Sequence, residues 1–317
     1  MAGWERHPWL IGAQGVSRLL LLPAHPLLVL NLRRHRPRAA GAAALLAVAQ
    51  LVLAGSGRSR RRADPVPPGA TDVRVVTANL WLHNPDITAA GAELLADAPD
   101  LVVLQELTPQ LLEGLRRSGL LAALPHHVLD PLPDHQGSAV LSRWPLTDTV
   151  VLDVDGSPMA AATVQTPAGP LLVVAVHLLN PAAPDARRRW QRQHRSLRLL
   201  VADAALPVVL AGDFNASADH VSFRRLLSGD VRDAMTVAAR GAGATWPVWS
   251  GPVPPLMRLD HVLVPAAVGV RAARSEVTTG SDHRRLVVDL ALAPGGHGRA
   301  TTTDPTERPP RARRSGR

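Results

Sequence analysis

Short apolar runs rich in β-branched residues recur through the middle of this chain, at 73–78, 100–105, 138–142, 149–154, 160–165, 171–177, 207–211, 259–264 and 286–292. Their composition and turn-rich boundaries predict strands. Amphipathic stretches with helical spacing lie between some of them, at 88–97, 108–119, 185–204 and 217–228. Thr108 followed by Pro109 is a helix-start signal, because proline at the first helical position forgoes an N–H that would be unpaired anyway. Some consecutive strands follow each other directly and others are joined through a helix. That mixture predicts a mixed sheet system with helices outside it, an α/β (α+β) body over residues 71–294.

The ends have a different pattern. Residues 9–32 are mostly apolar but contain Gln14, Arg18, Pro23, His25 and Pro26, whereas 39–55 hold only Gln50 as a strongly polar side chain. A 17-residue helix reaches about 26 Å, the lower edge of a bilayer core. The expectation is an N-terminal transmembrane hairpin over 1–57. Arg18, near the middle of the first segment, would cost ~3 kcal/mol at the bilayer centre; a pair of soluble or interfacial helices is the competing reading. A cleaved signal peptide fits poorly, since no short basic leader precedes a single apolar core. Arg33, Arg34, Arg36 and Arg38 in the hairpin loop oppose Arg6, Arg58, Arg60, Arg61 and Arg62 on the flanks, so charge leaves the orientation undecided. Residues 58–70 read as an Arg/Pro-rich linker and 295–317 as a disordered tail.

Composition narrows the chemistry. The 317-residue chain has no cysteine, so disulfides, thiolate metal sites and cysteine nucleophiles are excluded. It also lacks tyrosine, and all 35 of its basic residues are arginine, which reads as genome bias. The net charge of +9 suggests a nucleic-acid partner until it is divided along the chain. Residues 1–69 carry +8 and 295–317 carry +4, while 70–294, with 19 Arg against 22 acids, carry −3. The basic character belongs to the ends, and a mildly acidic body is a poor grip for duplex DNA.

Several apolar runs end in a polar residue suited to a phosphate or a metal. VVTAN ends at Asn79, LVVLQE at Glu106, LLVVAVH at His177, and VVLAGDFN at Asp213 and Asn215. RLDHVLV contains Asp260, and Ser281-Asp282-His283 precede the last run. Strand ends are where a sheet delivers side chains to one crevice. Asp213 and Asn215 share a side if strand geometry continues through them. Carboxylate, amide and imidazole without thiolate make the donor set of a hard cation such as Mg²⁺. Each residue also has a plainer reading. Asn79 could form a turn, Glu106 could lead into a helix, His177 could be a core histidine, and Asp213 with Asn215 could cap one. His261, beside Asp260 on a strand, faces the other way and reads as structural, and Trp246 reads as packing.

The motifs TANLW, LQE, GSAVLSRWPL, VAVHL, GDFNAS, LDHVLV and SDHRRL, in that order over 75–287, resemble the endonuclease/exonuclease/phosphatase superfamily. The resemblance implies a four-layer αββα sandwich and a metal-dependent phosphoric ester hydrolase. It implies Glu106 as principal metal ligand, Asn79 as metal or phosphate contact and Asp282 as a second metal contact, with Mg²⁺ (or Mn²⁺) as cofactor. It further implies that Asp213 orients or deprotonates the attacking water and Asn215 holds the phosphate. His177 and His283 would donate to phosphoryl oxygens, with Asp260 orienting His283. The abasic-site endonucleases of the superfamily use a catalytic tyrosine, which this chain lacks. The apolar hairpin, linker and compact domain resemble a membrane-anchored bacterial branch related to teicoplanin-resistance proteins. That implies a lipid-linked phosphate or pyrophosphate as substrate at the extracytoplasmic face of the cell membrane. A Mg²⁺-dependent nuclease is the alternative, with nucleic acid the less favoured partner, and a non-catalytic membrane interaction module comes third.

Overall fold

The computed structural model describes residues 5, 8–15, 21–55, 68–238, 243–248, 253–294 and 311–312. Two sheets form its centre. One has six strands: β1 (Thr71–Asn79), β2 (Leu101–Gln105), β3 (His126–Asp130), β4 (Ser138–Ser142), β11 (Gly269–Val277) and β12 (Arg284–Leu292), in the order β11-β12-β1-β2-β4-β3. The other has β5 (Leu146–Val154), β6 (Ser157–Thr166), β7 (Gly169–His177), β8 (Val208–Asp213), β9 (Val231–Asp233), β10 (Asp260–Pro265) and β13 (Arg311–Ala312), in the order β13-β5-β6-β7-β8-β10-β9. Each has one parallel pair at its middle, β1–β2 and β7–β8, and antiparallel neighbours around it.

Period-two alternation decides which side chain joins which core. Val73 and Val75 of β1 face the second sheet and pack with Val173, Ala175, Val209, Ala211 and Val262. Val76 and Ala78, one residue out of phase, face outward onto α4 (Ile87–Ala96) and α5 (Pro109–Arg117) through Leu94, Leu111 and Leu115. On the second sheet Val174, Val176 and Leu210 face α7 (Ala186–Asp203) and α8 (Val221–Leu226) through Trp190, Leu197 and Phe223. Three apolar layers between four strata of backbone give the sandwich that the sequence led us to expect. Thr108 caps α5 by accepting from Leu111 N–H, with Pro109 at the first helical turn.

Four strands arose where no run was marked. β3 and β11 lie at the ends of the first sheet, and β11 (GVRAARSEV) pairs only with β12. An edge strand needs one apolar neighbour and tolerates charge, so alternation does not reveal it. β9 and β13 are only three and two residues long. The expected linker falls outside the described residues except at 68–70, and the expected disordered tail does so except at 311–312, which pair with Leu152 and Asp153 of β5.

The transmembrane hairpin is corrected. Among the described residues no helix is long and apolar enough to cross a membrane. The first apolar segment is divided into α1 (Pro8–Gly15) and α2 (Ala24–Arg33). α1 packs onto the body, where the Ile11 carbonyl accepts from His220 Nε2 at 3.1 Å. α2 pairs instead with α3 (Pro37–Gly55). Ala40, Ala43 and Ala47 make the buried stripe of that pair, and His25 meets Gln50 at 3.2 Å.

Candidate active site

The register of the second sheet sets three functional side chains in line. Asp213, at the end of β8, pairs with His177 across the parallel β7 and with Asp260 across the antiparallel β10. Adjacent strands lie about 4.8 Å apart, so all three side chains emerge at one level. The parallel pair of the first sheet ends at the same rim, bringing Asn79 opposite Gln105 and beside Glu106. The sequence run GDFN supplies a further requirement. A Cβ on Gly212 would lie 2.0 Å from the Val176 carbonyl and 2.8 Å from Gln105 Nε2, and its φ is +143°. Only glycine lets β8 lie this close to the β7 backbone, with the Gln105 side chain of the first sheet against it.

Strand geometry does not continue through the run, because β8 stops at Asp213 and Asn215 takes φ +46°. Asn215 still reaches the cleft: its N–H donates to Asp213 Oδ1 at 2.7 Å and one amide hydrogen goes to the Leu178 carbonyl at 2.8 Å. Glu106 also adopts the left-handed region, at φ +59°. Two non-glycine residues held there mark a backbone constrained at the site.

Asp213 Oδ2 lies 3.9 Å from His177 Nε2 and 3.8 Å from His283 Nε2. Burial pushes its carboxyl up to about 7, with His283 pulling the other way. Burial likewise opposes charge on His283, but Asp260 and Asp213 outweigh it and raise the imidazole to about 10. Asp260 Oδ2 meets His283 Nδ1 at 2.8 Å, while its backbone N–H donates to Thr245 Oγ1. His177 goes the opposite way, lowered by burial despite Glu106 nearby. One imidazole is therefore charged and the other neutral.

Asn79 lies beneath the cleft. Its amide donates to Glu106 Oε1 at 3.0 Å and to Asp213 Oδ2 at 3.2 Å, and its oxygen accepts from Trp81 N–H. Glu106 Oε2 accepts from Leu82 N–H at 2.9 Å. Ser281 ties the last motif to the first, donating to the Asn79 carbonyl and accepting from His283 N–H. Asp282 Oδ2 accepts from Trp246 Nε1 at 3.2 Å. His261 points away from the cleft, holding the Ala216 carbonyl at 2.8 Å and Asp233 at 3.1 Å. Two cleft residues were missed in the sequence, or read only as packing. Trp246 comes from a Pro/Trp loop, and His135 from the segment before β4, with its ring 6.0 Å from that of His177. Neither carries a periodic or motif signal.

Glu106, His177, Asp213, Asn215, Asp282 and His283 open onto one cleft of about 800 Å³, with Asn79 and Asp260 behind it. The donors fit a hard divalent cation: they are carboxylates, an amide and imidazole, and Asp260 Oδ1 is buried without a hydrogen-bond partner. Single ligand atoms of Asp213, Asp260 and His283 lie within 4.8 Å of one another. Glu106 and Asp282 present two further carboxylates to the same cleft.

A two-sheet sandwich carrying this donor set at its rim is the architecture of a family whose members are generally hydrolases acting on phosphoester bonds. The chain belongs to the Endonuclease/Exonuclease/phosphatase family, whose profile matches residues 76–283. No curated protein matches it in sequence. Among solved structures it resembles an endonuclease/exonuclease/phosphatase from Beutenbergia cavernae DSM 12333, at 24% identity and TM-score 0.56, over 70% of this chain and 72% of that one. A family protein from Bacteroides thetaiotaomicron gives 16% identity and TM-score 0.59, over 71% and 99% of the two chains. D. rerio TDP2 complexed with single strand DNA product gives 16% and 0.55, over 69% and 99%. At these identities the likeness shows the fold.

Proposed function

We propose that this chain is a divalent-metal-dependent phosphoesterase that hydrolyses a phosphate ester or pyrophosphate, with Asp213 as the group that takes the proton from the attacking water. The observation that carries the reading is the placement of the Asp213 carboxylate at the cleft, its Oδ2 3.9 Å from His177 Nε2 and 3.8 Å from His283 Nε2, where burial pushes the carboxyl up to about 7. A base of that strength is matched to the pH at which it works. As the water oxygen forms its bond to phosphorus, Asp213 accepts a proton and the bond to the leaving oxygen breaks on the far side. His283 is held by Asp260 through Nδ1, which leaves Nε2–H to donate to a phosphoryl oxygen. Asn215 has a second amide hydrogen for the same phosphate, and His177 completes the cradle from β7. Glu106 and Asp282, with Asn79 behind, would hold Mg²⁺ or Mn²⁺, which when bound supplies positive charge against the charge gathering on phosphate.

The lining of the cleft bears on the substrate. Leu178, Leu179, Pro181, Ala182, Ala183 and Pro184 form an apolar wall beside the polar centre. Arg189 is the one arginine among the described lining residues, and its donors go to the Asp155 carbonyl. That suits an ester with an apolar substituent, such as a lipid-linked phosphate, better than a polyanionic strand. The α2–α3 hairpin supports a membrane-surface location: Leu27, Val29, Leu30, Leu45, Val48 and Leu51 are exposed on it, and four arginines crowd its turn. We assign the extracytoplasmic face on the resemblance alone, and protease accessibility in intact cells tests it.

The deciding experiment offers polyprenyl pyrophosphate, phospholipid and plasmid DNA to the purified protein with Mg²⁺. Release of phosphate or alcohol from the lipid-linked esters supports the reading. Turnover of plasmid alone would make the chain a nuclease, and turnover of none would remove the enzymatic assignment.

A further inference from the structure

The catalytic cleft is not closed by the sandwich alone. Ile11 and Gly12 of α1 line it together with Asp213 and His283, although they lie 200 or more residues away in sequence. Two polar latches hold this segment in place. The buried Glu5 carboxylate accepts from Ser222 N–H at 3.0 Å and from Ser222 Oγ–H at 2.6 Å. It thereby caps α8, whose own N-cap residue His220 makes no side-chain cap bond. The second latch is His220 itself. Its Nδ1 accepts from Ser217 N–H, so the ring hydrogen sits on Nε2 and is donated to the Ile11 carbonyl. The Glu5 carbonyl adds bonds from Arg187 and Gln191 of α7.

We propose that Glu5 and α1 (Pro8–Gly15) form the specificity-determining wall of the site: latched, they narrow the cleft around the group carried by the phosphate, so that a small or slender apolar ester enters and a nucleic-acid strand does not. The proposal rests on the phosphoesterase reading but concerns selection rather than chemistry. Glu5 and Ser222 act as positioning residues, through the wall they hold. Gly12 is where the wall can be changed without disturbing its packing, since a Cβ there meets nothing within 4 Å. Leucine is also the better helix former, so Gly12→Leu does not weaken α1.

The test compares bis(p-nitrophenyl) phosphate with a labelled single-stranded oligonucleotide, both with Mg²⁺, in the full-length protein. In Glu5→Ala the ratio of kcat/KM for oligonucleotide over the small diester should rise about tenfold, and in Gly12→Leu it should fall by about as much, the range that a small change in pocket bulk commands. A thermal melt checks that Glu5→Ala is folded; if it is not, Gly12→Leu decides alone. A ratio unmoved in the folded variants overturns the wall. If the native protein turns over neither compound, the phosphoesterase reading has failed instead. The wall is then judged by equilibrium binding of the oligonucleotide, where a tenfold tightening in Glu5→Ala supports it and no change overturns it.

Discussion

His194 offers a prediction whose size follows from the structure. It sits on α7, fully enclosed among Trp190, Phe214 and Phe223, with its ring centroid 4.7 Å from that of Trp190. Nδ1 meets the Trp190 carbonyl at 2.9 Å, and Nε2 has no hydrogen-bond partner. Burial therefore lowers its pKa to about 3, the bond to Trp190 opposing only in part. An unfolded histidine titrates near 6.5, so below that pH the unfolded chain binds a proton that the folded chain refuses. The stability this neutral ring preserves is complete above pH 6.5 and is lost as the pH falls towards 3. Relative to pH 8, linkage gives a loss of about 2 kcal/mol at pH 5 and about 3 kcal/mol at pH 4. His194→Leu removes the titration and leaves no buried nitrogen unpaired. Urea unfolding of both proteins between pH 8 and pH 4 should show the variant flatter by those amounts. Parallel profiles would refute the reasoning. The consequence reaches the site, because Trp190 Nε1 donates to the Phe214 carbonyl between Asp213 and Asn215.

Other outcomes follow from the same geometry. Gly212→Ala should destabilise the fold by at least ~3 kcal/mol in denaturant unfolding, since its Cβ collides with the Val176 carbonyl in a backbone conformation that alanine resists. Asp260→Asn should keep the fold but lower kcat about 10²–10⁴-fold with little change in KM, because His283 loses the carboxylate that orients and charges it. Asp233 is opposed by burial, yet Arg258 and His261 hold its carboxyl far below the usual range. Its contribution is present above about pH 4 and lost as the pH falls further. Asp233→Asn should therefore cost roughly 3 kcal/mol at pH 7 and flatten the acid limb of the stability profile.

The mixed α/β body was legible because central strands buried on both faces must be continuous apolar runs, as at 171–177 and 207–211, whereas the four-layer arrangement came from the family resemblance. The site was legible because its members end those runs: Asn79, Glu106, His177 and Asp213 each break an apolar stretch with a polar side chain. Register then did what spacing alone cannot, setting Asp213 level with both His177 and Asp260. Hydropathy misled at the N-terminus, where an apolar helix suits a protein surface as well as a bilayer. Pairing of Ile11 and Glu5 with residues around position 220 leaves no local signal. The same holds for His135 and Trp246, which reach the cleft on irregular segments.

The central claim is that Asp213 serves as the base of a metal-dependent phosphoester hydrolysis. Its most direct measurement is the initial rate of bis(p-nitrophenyl) phosphate hydrolysis by native protein and Asp213→Asn, each with Mg²⁺ and after EDTA. The account predicts turnover only in the native protein with Mg²⁺, and a loss of about 10²-fold or more in the variant while its melting temperature is maintained. Equal rates in the native protein and a folded Asp213→Asn, or turnover indifferent to EDTA, would contradict it.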